Sequence, residues 1–306
     1  MRAFIFPGQG SQSVGMGKAL AESAAIAREL FQEVDEALGQ NLARLMAEGP
    51  IEELTLTENA QPAIMANALA TFRTSGIDIA KADFVAGHSL GEYTALAAAG
   101  AFDVATTARL LKLRGQAMQA AVPVGEGAMA ALLGANLEIA QAVADAAAEG
   151  EVCTVANDND PTQVVISGHR AAVERALEIA KAKGAKRAVL LPVSAPFHSP
   201  LMEPAAHAME QALGDSEIAR PAVPVYANVT AAPVQNPAEI RRLLVEQVTG
   251  MVRWRESVAA MAEAGVTHFV EFGGKVLAPM VKRIAPDAKV TSVITMDDID
   301  ALVKEI

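Results

Sequence analysis

An apolar run at positions 3–6, followed by Pro7-Gly8-Gln9-Gly10-Ser11-Gln12, predicts a buried strand over residues 2–6 that ends in a glycine-rich loop. Helices follow to about residue 76. Phe84-Val85-Ala86 gives a second short strand, and it runs through Gly87-His88-Ser89-Leu90-Gly91 into a helix rich in alanine and leucine. The rhythm then changes. A strand at 127–134, a helix at 137–149, strands at 151–156 and 163–167, a helix at 171–183 and a strand at 188–193 make the ferredoxin-like order βαββαβ. Beyond it come a helix from Pro200, a strand at about 223–228, helices to 265, a strand at 267–272, a helix, a strand at 290–295 and a closing helix. Strands alternating with helices on both flanks predict an α/β protein whose main sheet is mostly parallel and covered by helices. Residues 1–123 and 194–306 are read as a large catalytic subdomain, and 124–193 as a small ferredoxin-like subdomain inserted into it. A cleft between the two is where a ligand is expected.

Composition narrows the function classes. Of 306 residues 52% are apolar, enough for a large core, but only 4% are aromatic, so Ala, Leu, Val and Met must fill it. Twenty-five basic against thirty-six acidic side chains leave a net charge of −11, which argues against general affinity for nucleic acid or for an anionic membrane. The single cysteine, Cys153, cannot form an internal disulfide and reads as a buried filler in a reducing compartment. The first apolar run is too short for a signal peptide, and no stretch approaches a membrane span. A soluble, cytoplasmic protein is expected. Five scattered histidines and one cysteine make no zinc-type cluster, so no metal is expected.

Ser89 lies where a strand turns sharply into a helix. There its hydroxyl stands clear of the backbone, and the helix aims free N–H groups and the positive end of its dipole at the same point. Chance alone gives Gly-x-Ser-x-Gly in roughly one chain in ten of this length, so a capping or packing serine stays open until partners are found. The loop at 7–12 invites a nucleotide reading but lacks the third glycine of the dinucleotide fingerprint; a loop presenting backbone N–H groups describes it better. A base could come from His198, in Ser194-Ala195-Pro196-Phe197-His198-Ser199-Pro200, after the last strand of the inserted unit and before a helix that Ser199 can cap and Pro200 begin. His169, His207 and His268 read as structural or solvated, and His88 as positioning the turn. On a helical wheel over 104–121, Arg109, Lys112, Gln116 and Gln119 share the polar face, whereas Arg114 falls among Leu110, Leu111, Ala117, Met118 and Ala121. A guanidinium on an inward face calls for an anion, either a neighbouring Asp or Glu or a substrate carboxylate, unless it snorkels to water.

The loop at 7–12, Gly87-His88-Ser89-Leu90-Gly91-Glu92, the inward Arg114, Asn157-Asp158-Asn159-Asp160-Pro161-Thr162 running on to Ser167-Gly168, and Pro196-Phe197-His198 together resemble the malonyl-CoA:acyl carrier protein transacylases. The resemblance reaches at least to Glu271-Phe272-Gly273-Gly274. It implies an α/β-hydrolase-like large subdomain and transfer of malonyl from malonyl-CoA to the phosphopantetheine thiol of acyl carrier protein, for fatty acid synthesis. It implies Ser89 as the residue that is acylated, His198 as its base, the N–H groups of Gln9 and Leu90 as the oxyanion hole and Arg114 as the clamp on the malonyl carboxylate. Gln247 matches the position whose main-chain carbonyl orients the histidine, so no triad aspartate is needed. Phe197 bears on acyl size, an aromatic there leaving less room for an α-methyl group, and His88 is placed beside the substrate. No cofactor is implied beyond the CoA and phosphopantetheine that the substrates carry. A monomer is expected, and Lys181, Lys183, Lys186 and Arg187, or Arg253 and Arg255 beside Trp254, are the candidate docking patches for an acidic carrier, against the plainer reading of solvated cations. A serine hydrolase such as an esterase or patatin-like lipase, an acyltransferase for another acyl-CoA such as methylmalonyl-CoA, and a silent interaction module stay open as alternatives.

Overall fold

The computed structural model describes residues 1–193 and 195–306; Ser194, first of the segment that carries His198, lies outside the described residues. Its strands are β1 (Arg2–Phe6), β2 (Phe84–Gly87), β3 (Gly127–Leu133), β4 (Cys153–Asp160), β5 (Gln163–His169), β6 (Arg187–Leu190), β7 (Val225–Ala227), β8 (Ala232–Val234), β9 (His268–Phe272) and β10 (Lys289–Val293). Six of them form one sheet in the order β10-β9-β1-β2-β7-β8, parallel except for β8 at the edge. The other four form an antiparallel sheet in the order β4-β5-β3-β6, the strand order of a ferredoxin-like unit. The fold is therefore α/β, as the sequence pattern predicts.

The central parallel strands are apolar on both faces because both faces are covered. Ala3, Phe4, Ile5 and Phe6 have no exposed surface. Four phenylalanines, Phe4, Phe6, Phe72 and Phe272, stack and meet edge to face on one side of β1, concentrating the scarce aromatics where sheet and Thr57–Thr74 helix meet. That helix is buried from Asn59 to Phe72, so it runs through the core and can present a polar side chain such as Gln61 to an interior site.

Three local expectations are corrected. β4 does not stop at residue 156 but continues through Asn157-Asp158-Asn159-Asp160, a stretch polar enough to read as loop. It is buried because its charges are met: Asp158 by Arg255 at 2.8 Å and Asp160 by Arg283 at 2.6 Å. Ser199 precedes the Pro200–Met202 turn but does not cap it; its hydroxyl donates backward to the Pro196 carbonyl at 2.7 Å. The cations flanking Trp254 are ion-paired rather than simply solvated: Trp254 has no exposed surface, Arg253 pairs with Glu256 and Arg255 with Asp158.

Candidate active site

Ser89 sits in the turn between β2 and the Gly91–Ala98 helix, with φ +54°. That left-handed backbone costs a non-glycine residue about 1–3 kcal/mol and persists only where surroundings hold it. Two side chains hold it here. Asn228 Oδ1 accepts from the Ser89 N–H at 2.8 Å, and Gln247 Nε2 donates to the Ser89 carbonyl at 3.0 Å. The flanking glycines are sterically required: a Cβ on Gly87 would stand 1.8 Å from the Gly91 carbonyl oxygen, and one on Gly91 would stand 2.3 Å from that of Phe6.

His198 follows β6 on a loop and also has a left-handed backbone, φ +53°. Its ring is buried, with Nδ1 2.8 Å from the Gln247 carbonyl oxygen and 3.1 Å from that of Gly250. Carbonyls only accept, so Nδ1 carries the proton and the neutral ring leaves Nε2 as an acceptor, 2.7 Å from Ser89 Oγ. Burial first, and the Arg114 charge second, push its pKa down to about 3, which keeps the ring neutral at physiological pH.

Arg114 is 1% exposed. Nη1 donates to Gln61 Oε1 at 2.7 Å; Nη2 donates to Gln247 Oε1 at 2.9 Å and to Ser89 Oγ at 3.1 Å; the guanidinium lies 5.6 Å from the Tyr93 ring centroid. Among the described residues its buried Nε has no partner, no carboxylate pairs with it, and every partner it has is neutral. The Ser89 hydroxyl thus lies between an imidazole that can take its proton and a cation that still wants an anion.

A cavity of about 260 Å³ opens onto this hydroxyl. Gln9, His88, Leu90, Arg114 and Met118 line it from the side of the parallel sheet, Met129, Asn157, Leu191 and Val193 from the small sheet, and Phe197 and His198 from the loop that returns between them. Among the described residues neither the Gln9 nor the Leu90 N–H has an acceptor within the chain. Both residues lie on the cavity wall at the N-terminus of the Gly91–Ala98 helix, where an oxyanion could be received. Phe197 is 8% exposed and lines the cavity beside His198. His88 is tied by Nε2 to Asn159 Oδ1 at 2.7 Å, so its ring joins the serine turn to β4. The remaining histidines lie elsewhere: His169 Nδ1 accepts from Val152 N–H, His268 meets Thr291 and His207 pairs with Glu203 on the surface. Cys153 is buried, its thiol raised to about 11 by desolvation, and lies outside the cavity lining.

Sequence reasoning missed Gln61, Asn228, Glu92 and the side chain of Gln247. Glu92 accepts from Asn228 N–H at 3.0 Å and from Gln247 Nε2 at 2.8 Å, beneath the serine turn. One signal was available for it: an acidic residue in the first turn of an otherwise apolar helix.

Comparison with known proteins places this geometry. The acyl transferase domain family matches residues 3–282. The chain is 46% identical over 307 residues, 99% of its own length and 96% of the relative's, to the malonyl CoA-acyl carrier protein transacylase of Bacillus subtilis. It superposes on the acyl-carrier-protein-S-malonyltransferase of Bartonella henselae with a TM-score of 0.97 at 51% identity, covering 99% and 98% of the two chains. It also superposes, with a TM-score of 0.96 at 39% identity over 100% and 99% of the chains, on a malonyl-transacylase solved in complex with a type II PKS acyl-carrier protein.

Proposed function

The chain belongs to the acyl transferase family, and from that premise we propose that it moves a malonyl group from malonyl-CoA to the phosphopantetheine thiol of an acyl carrier protein, through an ester on Ser89, to supply fatty acid synthesis. The observation that carries this reading is the Ser89 hydroxyl held 2.7 Å from His198 Nε2 and 3.1 Å from Arg114 Nη2 in one cavity. A hydrolase needs the first contact; only an acyl group with its own carboxylate needs the second.

In the first half-reaction His198 takes the Ser89 proton as Oγ attacks the thioester carbonyl. The oxyanion rests on the N–H groups of Gln9 and Leu90, and the imidazolium then protonates the departing CoA sulfur. Gln247 steadies the ring by accepting from Nδ1 through its main-chain carbonyl. Arg114 exchanges the Ser89 hydroxyl for the malonyl carboxylate, holding the ester in place away from water. In the second half-reaction the carrier thiol gives its proton to His198, attacks the ester carbonyl, and Ser89 leaves with that proton restored. No cofactor enters either step beyond the CoA and phosphopantetheine of the substrates. Phe197 beside the base favours malonyl over α-methyl extenders by about 1–3 kcal/mol, a preference and not an exclusion.

Lys183, Lys186 and Arg187 remain exposed ahead of and on β6, an edge strand that also exposes Val189 and Leu190 and leads directly into the Leu191–Val193 wall of the cavity. This is the face on which the carrier docks in our reading. The protein works as a cytoplasmic monomer without affinity for nucleic acid; among the described residues no helix is long and apolar enough to cross a membrane. The test is intact-mass measurement after mixing with malonyl-CoA. A gain of one malonyl group, lost in Ser89→Ala and discharged by phosphopantetheinylated carrier protein, is expected; rapid release of free malonate without a carrier would favour a hydrolase, and no adduct would favour a silent module.

A further inference from the structure

Behind the serine turn lies a buried ionisable group that the mechanism does not use. Glu92 is 2% exposed, lies behind the serine turn, and forms no direct ion pair among the described residues. Its Oε2 accepts from Gln247 Nε2 at 2.8 Å, while the Oε1 of that same amide accepts from Arg114 Nη2 at 2.9 Å. One neutral amide therefore stands between a buried cation and a buried carboxylate, polarised from both ends. Each charge needs a counter-charge in this low-dielectric interior, and each finds it one side chain away.

Building on the malonyl-transfer reading, we infer that Glu92 is the resident counter-ion of Arg114, acting through Gln247, and that it takes up a proton when the carboxylate of the acyl group occupies the guanidinium. The charged or titratable groups facing Glu92 are Arg114 from the Val104–Ala120 helix and the Tyr93 hydroxyl from its own helix; Asn228 and Gln247, its hydrogen-bond partners, are uncharged. Burial lifts the Glu92 carboxyl to about 7, against the opposing pull of Asn228 N–H, Gln247 and the Arg114 charge. Pairing Arg114 with a substrate carboxylate cancels that last pull, so the ionised form loses support and a solvent proton binds. Acylation itself is proton-neutral near pH 7: the proton leaving Ser89 ends on the CoA thiol, whose kind titrates at about 8.5. Glu92 touches no reacting atom and is a positioning residue.

Calorimetry of acyl-enzyme formation at about pH 7, in two buffers of different ionisation enthalpy, reads the proton directly. Wild-type protein should take up a fraction of a proton with malonyl-CoA and none with acetyl-CoA. Glu92→Gln, whose amide oxygen can still accept from Asn228 and Gln247, should form the malonyl-enzyme with no uptake. Equal uptake for the two acyl groups, or undiminished uptake in Glu92→Gln, would overturn the assignment. If that variant does not fold, the wild-type contrast between malonyl and acetyl decides alone. Malonyl-enzyme formed without proton uptake refutes only the role of Glu92, whereas failure to form any acyl-enzyme refutes the transfer reading and this inference with it.

Discussion

Two buried charge sites, one on each side of the cleft, are built on opposite terms. On β4, Asp158 and Asp160 have no exposed side-chain surface, and each is met by an arginine from a helix beside the parallel sheet, Arg255 and Arg283, whose side chains reach partly into solvent. In the cavity Arg114 is equally buried, yet Gln61, Gln247 and Ser89 give it only neutral oxygens and its Nε has no partner among the described residues. The first site is complete as it stands: it fastens the small sheet to the helices behind the parallel one, with help from the Asn159–His88 bond. The second has no anion in direct contact: Glu92 reaches it only through the Gln247 amide. A buried charge that is paired directly marks structure, and one touched only by dipoles marks where a charged ligand arrives.

Giving Arg114 a permanent carboxylate would erase the difference, and this should have the largest effect. Gln61→Glu places an anion on Nη1, so malonyl transfer is expected to fall about 100-fold in kcat/KM, near 3 kcal/mol, without loss of thermal stability. Retained malonyl activity would mean that the arginine does not need to be vacant. Breaking the complete site should do the reverse. Arg255→Ala leaves the Asp158 carboxylate buried and unpaired and should cost about 3 kcal/mol of stability in denaturant titration, with the preference for malonyl over acetyl unchanged. A shift in that preference would show that the clamp on β4 also tunes the acyl site.

His198 adds a pH signature. Its folded-state pKa, about 3, lies below the unfolded value of 6.5, so the unfolded chain binds the proton more readily and stability falls as pH drops through 6.5 toward 3. Between pH 6.5 and about pH 5 this amounts to about 2 kcal/mol, visible as the part of the acid destabilisation that His198→Ala lacks. Parallel curves for the two proteins would place the imidazole in a wetter setting. The smallest effect is expected on the surface. Lys186→Glu with Arg187→Glu should raise the apparent KM for carrier protein a few-fold and leave malonylation by malonyl-CoA intact; no change would move docking off the β6 edge.

Much of this arrangement could be read from residue order because each part has a local signature. Ser89 stands between obligatory glycines at a strand-to-helix turn, Arg114 occupies the wrong face of an amphipathic pattern, and the alternation of strand and helix periods set out both sheets. The position of His198 after the last strand of the small sheet made it the candidate base, and the resemblance supplied its role and the main-chain carbonyl of Gln247. What stayed hidden was what depends on distant partners. Gln61, Asn228 and the Gln247 amide are uncharged and unremarkable in sequence, and they matter because they meet Arg114 and the strained Ser89 backbone across 53, 139 and 158 positions. Asn157-Asp158-Asn159-Asp160 reads as loop because the arginines that make it a buried strand lie about 100 residues later. β8 is three residues with Pro233 at its centre, tolerable only on an edge and too short to leave a period-2 signal.

The claim on which the account rests is that the unpaired guanidinium of Arg114 selects an acyl group bearing a carboxylate. Competition between equal concentrations of malonyl-CoA and acetyl-CoA, read by intact mass as the ratio of the two acyl-enzymes, tests it directly. The account predicts a malonyl-enzyme in large excess for the wild-type protein and a ratio near one for Arg114→Ala, with acetylation preserved; an unchanged ratio in the variant would contradict it.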